Sequence, residues 1–206
     1  MTKRKTQKVL FFLAVIVVFA LSLSTVKASA KTVKITGKYY QTDARKMLSK
    51  INKFRTGSQA WYYTPEGSKT YEKGLKKLKY DYSLEKVAMK RAAEIARSFS
   101  HTRPNGTLCF SAYPKGYMAM GENIAMGTSY IMGMNSTFEL WQETNQPYAG
   151  QGHRRNMLSN YFTCVGVACF EVNGCKYWVQ EFGSPTLNKK KTKACNGVKT
   201  VKIKVK

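Results

Sequence analysis

Apolar positions recur along the chain in two rhythms and one unbroken run. Ala44, Met47, Leu48, Ile51 and Phe54 fall at helical spacing, with Thr42 placed as N-cap and Gly57 as stop, so one helix with one buried face is predicted there. A second stripe, Leu84, Val87, Ala88, Arg91, Ala92, Ile95 and Phe99, predicts a helix capped by Ser83 and ending near Ser98, its alanines admitting a close neighbour. Ile131, Met134, Phe138 and Trp141 predict a third, from about Ser129 to Glu143, and His153 to Leu158 reads as one short helical turn.

The two-residue rhythm appears late. Phe162 to Val172 and Cys175 to Phe182 flank Asn173-Gly174, a strong hairpin signal. A two-residue turn sets Val172 opposite Cys175 and Cys169 opposite Trp178, which sends Cys169 and Cys175 to opposite sides of the sheet. A disulfide between those two would need a bulge, so partners from Cys109 or Cys195 are expected instead. Lys31 to Tyr40 alternates enough for a short strand or an ordered arm. Val198 to Val205 alternates apolar residues with Lys, which suits an edge strand or, equally, a disordered basic tail.

Val9 to Leu23 is apolar apart from Ser22, follows Lys3, Arg4, Lys5 and Lys8, and precedes the small residues Ala28-Ser29-Ala30. That is the pattern of a secretory signal peptide over 1–30; at about 15 residues the run falls short of the roughly 18 to 20 a spanning helix needs, so an uncleaved anchor is the lesser reading. The remaining chain divides into a domain over 31–184, with an aromatic insertion at about 57–74, and a Lys-rich tail or edge strand over 185–206. In the insertion Trp61, Tyr62 and Tyr63 face Tyr71 across a Pro65-Glu66-Gly67-Ser68 turn, a hairpin or loop whose aromatics pack on the core or stack on a sugar or base.

Charge narrows the partners. The formal net charge is +24, and removal of the leader takes five cations and no acid, leaving +19. Such a surface favours anionic polymers or lipid heads, and export sets nucleic acid aside. Five cysteines in an exported chain point to disulfides with one left over. The methionines at 118, 120, 126, 132 and 134 read as flexible core filler.

Candidate chemistry gathers between Phe99 and His153. This stretch holds both histidines of the protein, His101 and His153, with Glu122 and Glu143 between them. Two imidazoles and two carboxylates can converge on a divalent metal, exchange protons, or form a structural hydrogen-bond cluster. The chain has no HExxH helix and no GxSxG turn, so the common zinc-protease and serine-hydrolase patterns are absent.

Several segments, in order, resemble the CAP superfamily of cysteine-rich secretory proteins, venom antigens and pathogenesis-related proteins. They are ARKMLSKINKFR from Ala44, LEKVAMKRAAEIA from Leu84, SHTRPNG from Ser100, GENIA from Gly121, Trp141 with Glu143, GHRRNML from Gly152, and VGVAC followed by YWVQEFG ending at Gly183. The resemblance implies an α+β fold, a three-layer α-β-α sandwich with a small antiparallel sheet between helices. It also implies a cleft in which His101, Glu122, Glu143 and His153 form a tetrad able to bind zinc or magnesium, supported by Asn123, Asn156 and Gln180. The HRxN form at His153 and the short spacing from Glu143 depart from animal and plant members, which makes Glu143 the least secure of the four, with Glu139 as fallback.

Three functions follow. The leading one is a secreted, non-catalytic protein whose His/Glu cleft binds a divalent cation and an unknown extracellular ligand. A metal-dependent hydrolase, peptidase or esterase, using Glu122 or Glu143 for proton transfer, is the alternative; Cys109 beside His101 would serve as a nucleophile only if unpaired. The third is a basic protein adhering to an anionic polymer or lipid surface, with the fold as scaffold.

Overall fold

The computed structural model describes residues 31–206; the predicted leader lies outside the described residues. Strand β1 (Lys31–Tyr40) runs directly into helix α1 (Gln41–Arg55). The short strands β2 (Trp61–Tyr63), β3 (Lys69–Tyr71) and β4 (Lys79–Tyr80) lead to α2 (Tyr82–Arg97). After a 3-10 turn at Cys109–Ala112 come β5 (Ala119–Thr128), α3 (Met134–Gln142) and α4 (Gly152–Leu158). Strands β6 (Cys164–Val172), β7 (Cys175–Ser184) and β8 (Asn196–Val205) complete the chain.

The main sheet has the order β5-β7-β6-β1-β8, with β4 added parallel to the start of β6. Its centre is the expected hairpin: Val172 faces Cys175 and Cys169 faces Trp178, with Asn173 and Gly174 both at positive φ as the tight turn requires. Period-two alternation then gives each central strand two buried faces. On one side Val165, Val167, Cys169, Trp178 and Phe182 pack with Met47 and Ile51 of α1, Trp141 of α3 and Met157 of α4. On the other, Ala168, Phe170 and Val179 meet Ala88, Ala92 and Ile95 of α2. The result is the α-β-α sandwich, an α+β fold with α2 alone on one side. Each large apolar side chain so buried contributes about 1.5–3 kcal/mol.

α2 lies so close to the sheet that Gly166 has no room for a side chain. A Cβ there would come within 2.2 Å of the Leu84 and Glu85 backbone. The N-terminus of α2 is fixed by Asp81 rather than Ser83: its Oδ1 accepts the N–H groups of Ser83 and Leu84, and its Oδ2 those of Leu187 and Asn188. One buried carboxylate thus ties the helix start to the chain after β7.

Other expectations shift. α1 starts at Gln41, with Tyr40 at the cap position and no side-chain cap, and ends at Arg55, so neither Thr42 nor Gly57 sets its limits. α3 begins five residues later than the apolar spacing suggested, because the N–H of Met132 turns back to the carbonyl of Thr128 and Gly133 becomes the cap. The stretch before it, including Gly121 to Ala125, is a ten-residue edge strand paired with β7 along its whole length.

The 57–74 insertion is a β2–β3 hairpin with Trp61 opposite Tyr71. It packs on the core through Arg154. That guanidinium donates to the carbonyls of Gln59, Trp61 and Gln142 and stacks 4.0 Å from the Trp61 ring centre. The C-terminal Lys-rich stretch takes the strand alternative: β8 pairs with β1 from Asn196 opposite Tyr40 to Val205 opposite Lys31.

The disulfide expectation is corrected. All five cysteines are free among the described residues. Cys169 belongs to the α1 side of the sheet and Cys195 packs against the α2 side, so the sheet separates that pair, while Cys164 sits with Leu84 and Tyr117.

Candidate metal cleft

Strand β5 is a sheet edge, and the four predicted residues gather around it from both sides. Alternation sends Glu122 toward α2 and Asn123 toward α4. Glu122 is buried and held by Arg91 of α2, whose Nε lies 2.6 Å from its Oε2. Its Oε1 receives Nδ1 of His101 at 2.7 Å. Burial opposes ionisation of Glu122, but the hydrogen bonds from His101 and Arg91 outweigh it and hold the carboxyl down at about 2. An ionised carboxylate only accepts, so Nδ1 of His101 carries the proton.

On the other side, Glu143 occupies the residue after α3 in the left-handed region, φ 47°. This conformation is uncommon outside glycine, and here it turns the carboxylate back toward α4. Oε2 accepts the backbone N–H of His153 at 2.9 Å and of Arg154 at 3.2 Å, while Oε1 takes Nδ1 of His153. Glu143, and not Glu139, is therefore the carboxylate paired with His153.

Asn123, Asn156 and Gln180 join the halves. Asn123 Nδ2 donates to the His153 carbonyl and to Gln180 Oε1, and Asn156 Nδ2 donates to Asn123 Oδ1 and to the Glu122 carbonyl. Trp141 Nε1 donates to the Ile124 carbonyl. Two outward carbonyls of the edge strand are thereby capped by side chains, which closes that edge to further strand pairing.

The two His–Glu pairs line one cleft of about 500 Å³ with Asn123, Arg155 and Asn156. A second hollow of about 660 Å³, lined by Phe99, Ile124, Met126 and Leu140, adjoins it and shares Glu143 and His153.

Both histidines use Nδ1 on a carboxylate, and no hydrogen bond among the described residues engages either Nε2. A carboxylate on Nδ1 fixes the tautomer that presents Nε2 as a lone-pair donor, the arrangement that metal-ligating histidines use. Each imidazole taken singly is thus set up as a donor of the kind a divalent cation takes. Among the described residues, the group of three or more such side chains whose ligand atoms all lie within 4.8 Å of one another is His101, Cys109 and Glu122; His153 and Glu143 stand outside it.

Several participants escape a reading of the sequence. Arg91 falls in an apolar stripe, yet it is the fully buried centre of a chain of charges running from Arg103 through Glu94 and Arg91 to Glu122. Arg91 also donates to the Ser100 carbonyl, and Arg103 to Ser111, so the network pins the loop that carries His101. A charged pair at Arg91 and Glu94 on the core face of α2 is the available signal.

Glu181 stands opposite Glu122 in the β5–β7 register. Burial and the neighbouring negative charge of Glu122 push its carboxyl well above the usual range, which favours the protonated form. The Tyr113 hydroxyl lies 2.7 Å from Oε2, and Oε1 has no partner among the described residues. Cys109 is unpaired, but burial, with Glu122 and Glu181 nearby, pushes its thiol up to about 12. A thiol so disfavoured as thiolate is a poor nucleophile.

A comparison with curated proteins returned no significant match. Solved structures share the fold. An outer surface protein from Borrelia burgdorferi superposes with a TM-score of 0.53 at 19% identity, covering 75% of this chain and 98% of its own. NaASP2, crystallised with Zn2+, gives 0.53 at 19% identity, covering 73% and 84%. Na-ASP-1 gives 0.51 at 18% identity over 69% of this chain, which spans 39% of that longer one. Among the described residues no helix is long and apolar enough to cross a membrane. The profile of the cysteine-rich secretory protein (CAP) family matches residues 48–182, most of the chain and every residue of the cleft, and the protein belongs to that family.

Proposed function

We propose that this is an exported, non-catalytic binding protein whose cleft holds one divalent cation between His101 and His153 and uses it to engage an extracellular ligand. The observation that carries the reading is the paired geometry: each imidazole turns Nδ1 to a carboxylate and leaves Nε2 unengaged. In this arrangement Glu122 and Glu143 orient the ligands. Imidazole donors suit zinc better than magnesium, which prefers oxygen. A bound ion would supply positive charge at the cleft floor, an anchor for an anionic or carbonyl group of the ligand. Acid would empty the site, since the ligating nitrogens must be unprotonated. The zinc named for NaASP2, a protein of the same fold, supports the choice.

The test is nitrogen NMR of the imidazoles during zinc addition. Both Nε2 signals should move together and saturate at one ion per chain, with Nδ1 still protonated. Loss of the Nδ1 protons, or movement of one histidine alone, would refute the two-histidine site. Export itself is tested by N-terminal sequencing of protein recovered from medium, which should begin at Lys31.

One observation favours an additional role at anionic surfaces. Among the described residues Lys46 is the only lysine in an ion pair with a carboxylate. On the β1–β8 ribbon Lys34 stands directly opposite Lys202, with Lys204 two residues further along β8. Like charges face to face destabilise a sheet unless an anion sits between them. Retention on an anionic matrix that falls with salt and with Lys34→Glu plus Lys202→Glu would support this role; retention unchanged in that variant would remove the ribbon from it.

A further inference from the structure

The segment after the β2–β3 hairpin borders a pocket of about 480 Å³, with residues 160, 162 and 163 on its other side and Arg55 from the end of α1 within it. Lys73, Lys76, Lys77 and Lys79 line the pocket, and Glu72 is its one acid. Exposed lysines alone would mean little on so basic a protein. Arg55 is different, because it is only 2% exposed and makes no ion pair with a carboxylate among the described residues.

Its guanidinium is held rigidly. Nε donates to the Lys76 carbonyl at 3.0 Å, and Nη1 donates to the carbonyls of Met157 and Ser159 at 2.7 and 2.9 Å. No hydrogen bond among the described residues engages Nη2. The contrast with Arg154 is instructive: that buried arginine also lacks an ion-pair partner, but all three of its nitrogens reach carbonyls and its plane stacks on aromatics. Arg154 is a finished structural clamp, whereas Arg55 keeps donor capacity at the edge of a cationic pocket. Burial draws Arg55 down to about 10, so it is still cationic at neutral pH. Glu72 is the acid that acts on this charge, but it makes no ion pair with it, so a bound anion would further relieve the cost of the desolvated guanidinium.

Arginine's planar fork matches phosphate oxygens, and the flexible lysines add charge around them. The volume exceeds what a single phosphate fills and lies in the range of small-ligand pockets. Leu75 and the largely buried Phe162 supply an apolar surface beside the cations. We propose that this pocket binds a phosphate ester, its phosphate held by Arg55 and the surrounding lysines and its carbon body resting on Phe162. The site uses none of the cleft residues and stands whether or not the cleft holds a metal. The same chemistry is offered by a small phosphate monoester and by a phosphodiester unit of a polymer.

Calorimetric titration of the purified protein decides it, with inorganic phosphate, glycerol 3-phosphate, glycerol and a short poly(glycerol phosphate) as probes. The monoester should saturate one site and bind more tightly than inorganic phosphate, while glycerol should not bind. The variant Lys73→Gln, Lys76→Gln, Lys77→Gln should weaken the monoester by about tenfold or more, the effect of a lost charge-assisted contact. A charge-matched control at exposed lysines outside both the pocket and the β1–β8 ribbon, Lys86→Gln, Lys90→Gln, Lys115→Gln, should stay within about twofold, since exposed charges outside the pocket are screened. Polymer that displaces the monoester at equal or better affinity per unit identifies a polymeric source; failure to displace it identifies the free ester. Arg55→Lys, followed by circular dichroism, should weaken binding without loss of fold, and if it does not fold the lysine variants still decide. No saturable binding at millimolar monoester, or equal losses in the two lysine variants, overturns the proposal.

Discussion

Glu181→Gln should make the protein more stable at neutral pH, by an amount that grows with pH. Glu181 is fully buried opposite Glu122, and its carboxyl is raised well above the usual 4.5 by burial and by that neighbour. In the unfolded chain the group ionises near 4.5, whereas in the folded protein it holds its proton to higher pH. Above that pH the unfolded state releases a proton that the native state retains, so stability falls by about 1.4 kcal/mol per pH unit. The loss accumulates from the unfolded value up to the pH at which the folded carboxyl itself ionises, and each unit of pH is a sizeable share of a typical total of about 5–15 kcal/mol. Glutamine has the same shape and keeps a hydrogen-bonding group beside Tyr113 but does not titrate. Urea unfolding of both proteins at pH 5, 6, 7 and 8 measures the difference. The two stabilities should nearly coincide at pH 5 and diverge steadily above it. Parallel stabilities across this range, or a variant that loses ground as pH rises, would refute the assignment of a protonated Glu181. Glu122 works in the opposite sense: its lowered value gives stability that is complete above its unfolded value and lost as pH falls toward 2.

Three further outcomes follow from the geometry. Glu143→Gln should leave the unfolding midpoint nearly unchanged and weaken zinc by about 10–100-fold, because it loosens the orientation of His153 without touching a ligating nitrogen. Asp81→Ala should cost about 3 kcal/mol in urea unfolding, through four backbone N–H groups left without their acceptor, and Asp81→Asn clearly less. Gly166→Ala should cost about 3 kcal/mol or prevent folding, because its Cβ meets backbone rather than a movable side chain; unfolding at wild-type denaturant concentration would show the α2–sheet contact to be looser than this geometry requires.

The parts of the fold legible in the sequence are those set by local pattern. Asn173-Gly174 with flanking alternation specifies the β6–β7 register, and the apolar stripes specify α1 and α2. Strand β5 is not legible as a strand. As an edge strand beside the cleft it carries Glu122 and Asn123 on opposite faces, each engaged in a buried polar network, so neither face shows apolar alternation. The pairing of β1 with β8 joins the first and last described strands, and nothing in either segment names its partner. Asp81 escapes notice as the cap because its second carboxylate oxygen serves residues 187 and 188, a contact no local window contains.

For the site, the resemblance to the family's motifs points to the two histidines and two glutamates but says nothing of how they divide. Only the structure shows two His–Glu pairs reaching one cleft around an edge strand. Likewise Arg91 and Glu181 sit within hydrophobic runs, where a charged residue reads as an interruption rather than as the partner of Glu122. Cys109 is a candidate nucleophile or disulfide partner from the sequence; among the described residues it is free, and burial beside Glu122 and Glu181 disfavours its thiolate.

The most direct test of the account is calorimetric titration of zinc into the metal-free protein at neutral pH, against the double variant His101→Ala, His153→Ala. The account predicts saturable binding of one ion in the wild type, abolished in the variant and lost in acid. No heat at micromolar zinc, or equal binding by the variant, would contradict it and leave the two His–Glu pairs as a structural hydrogen-bond cluster.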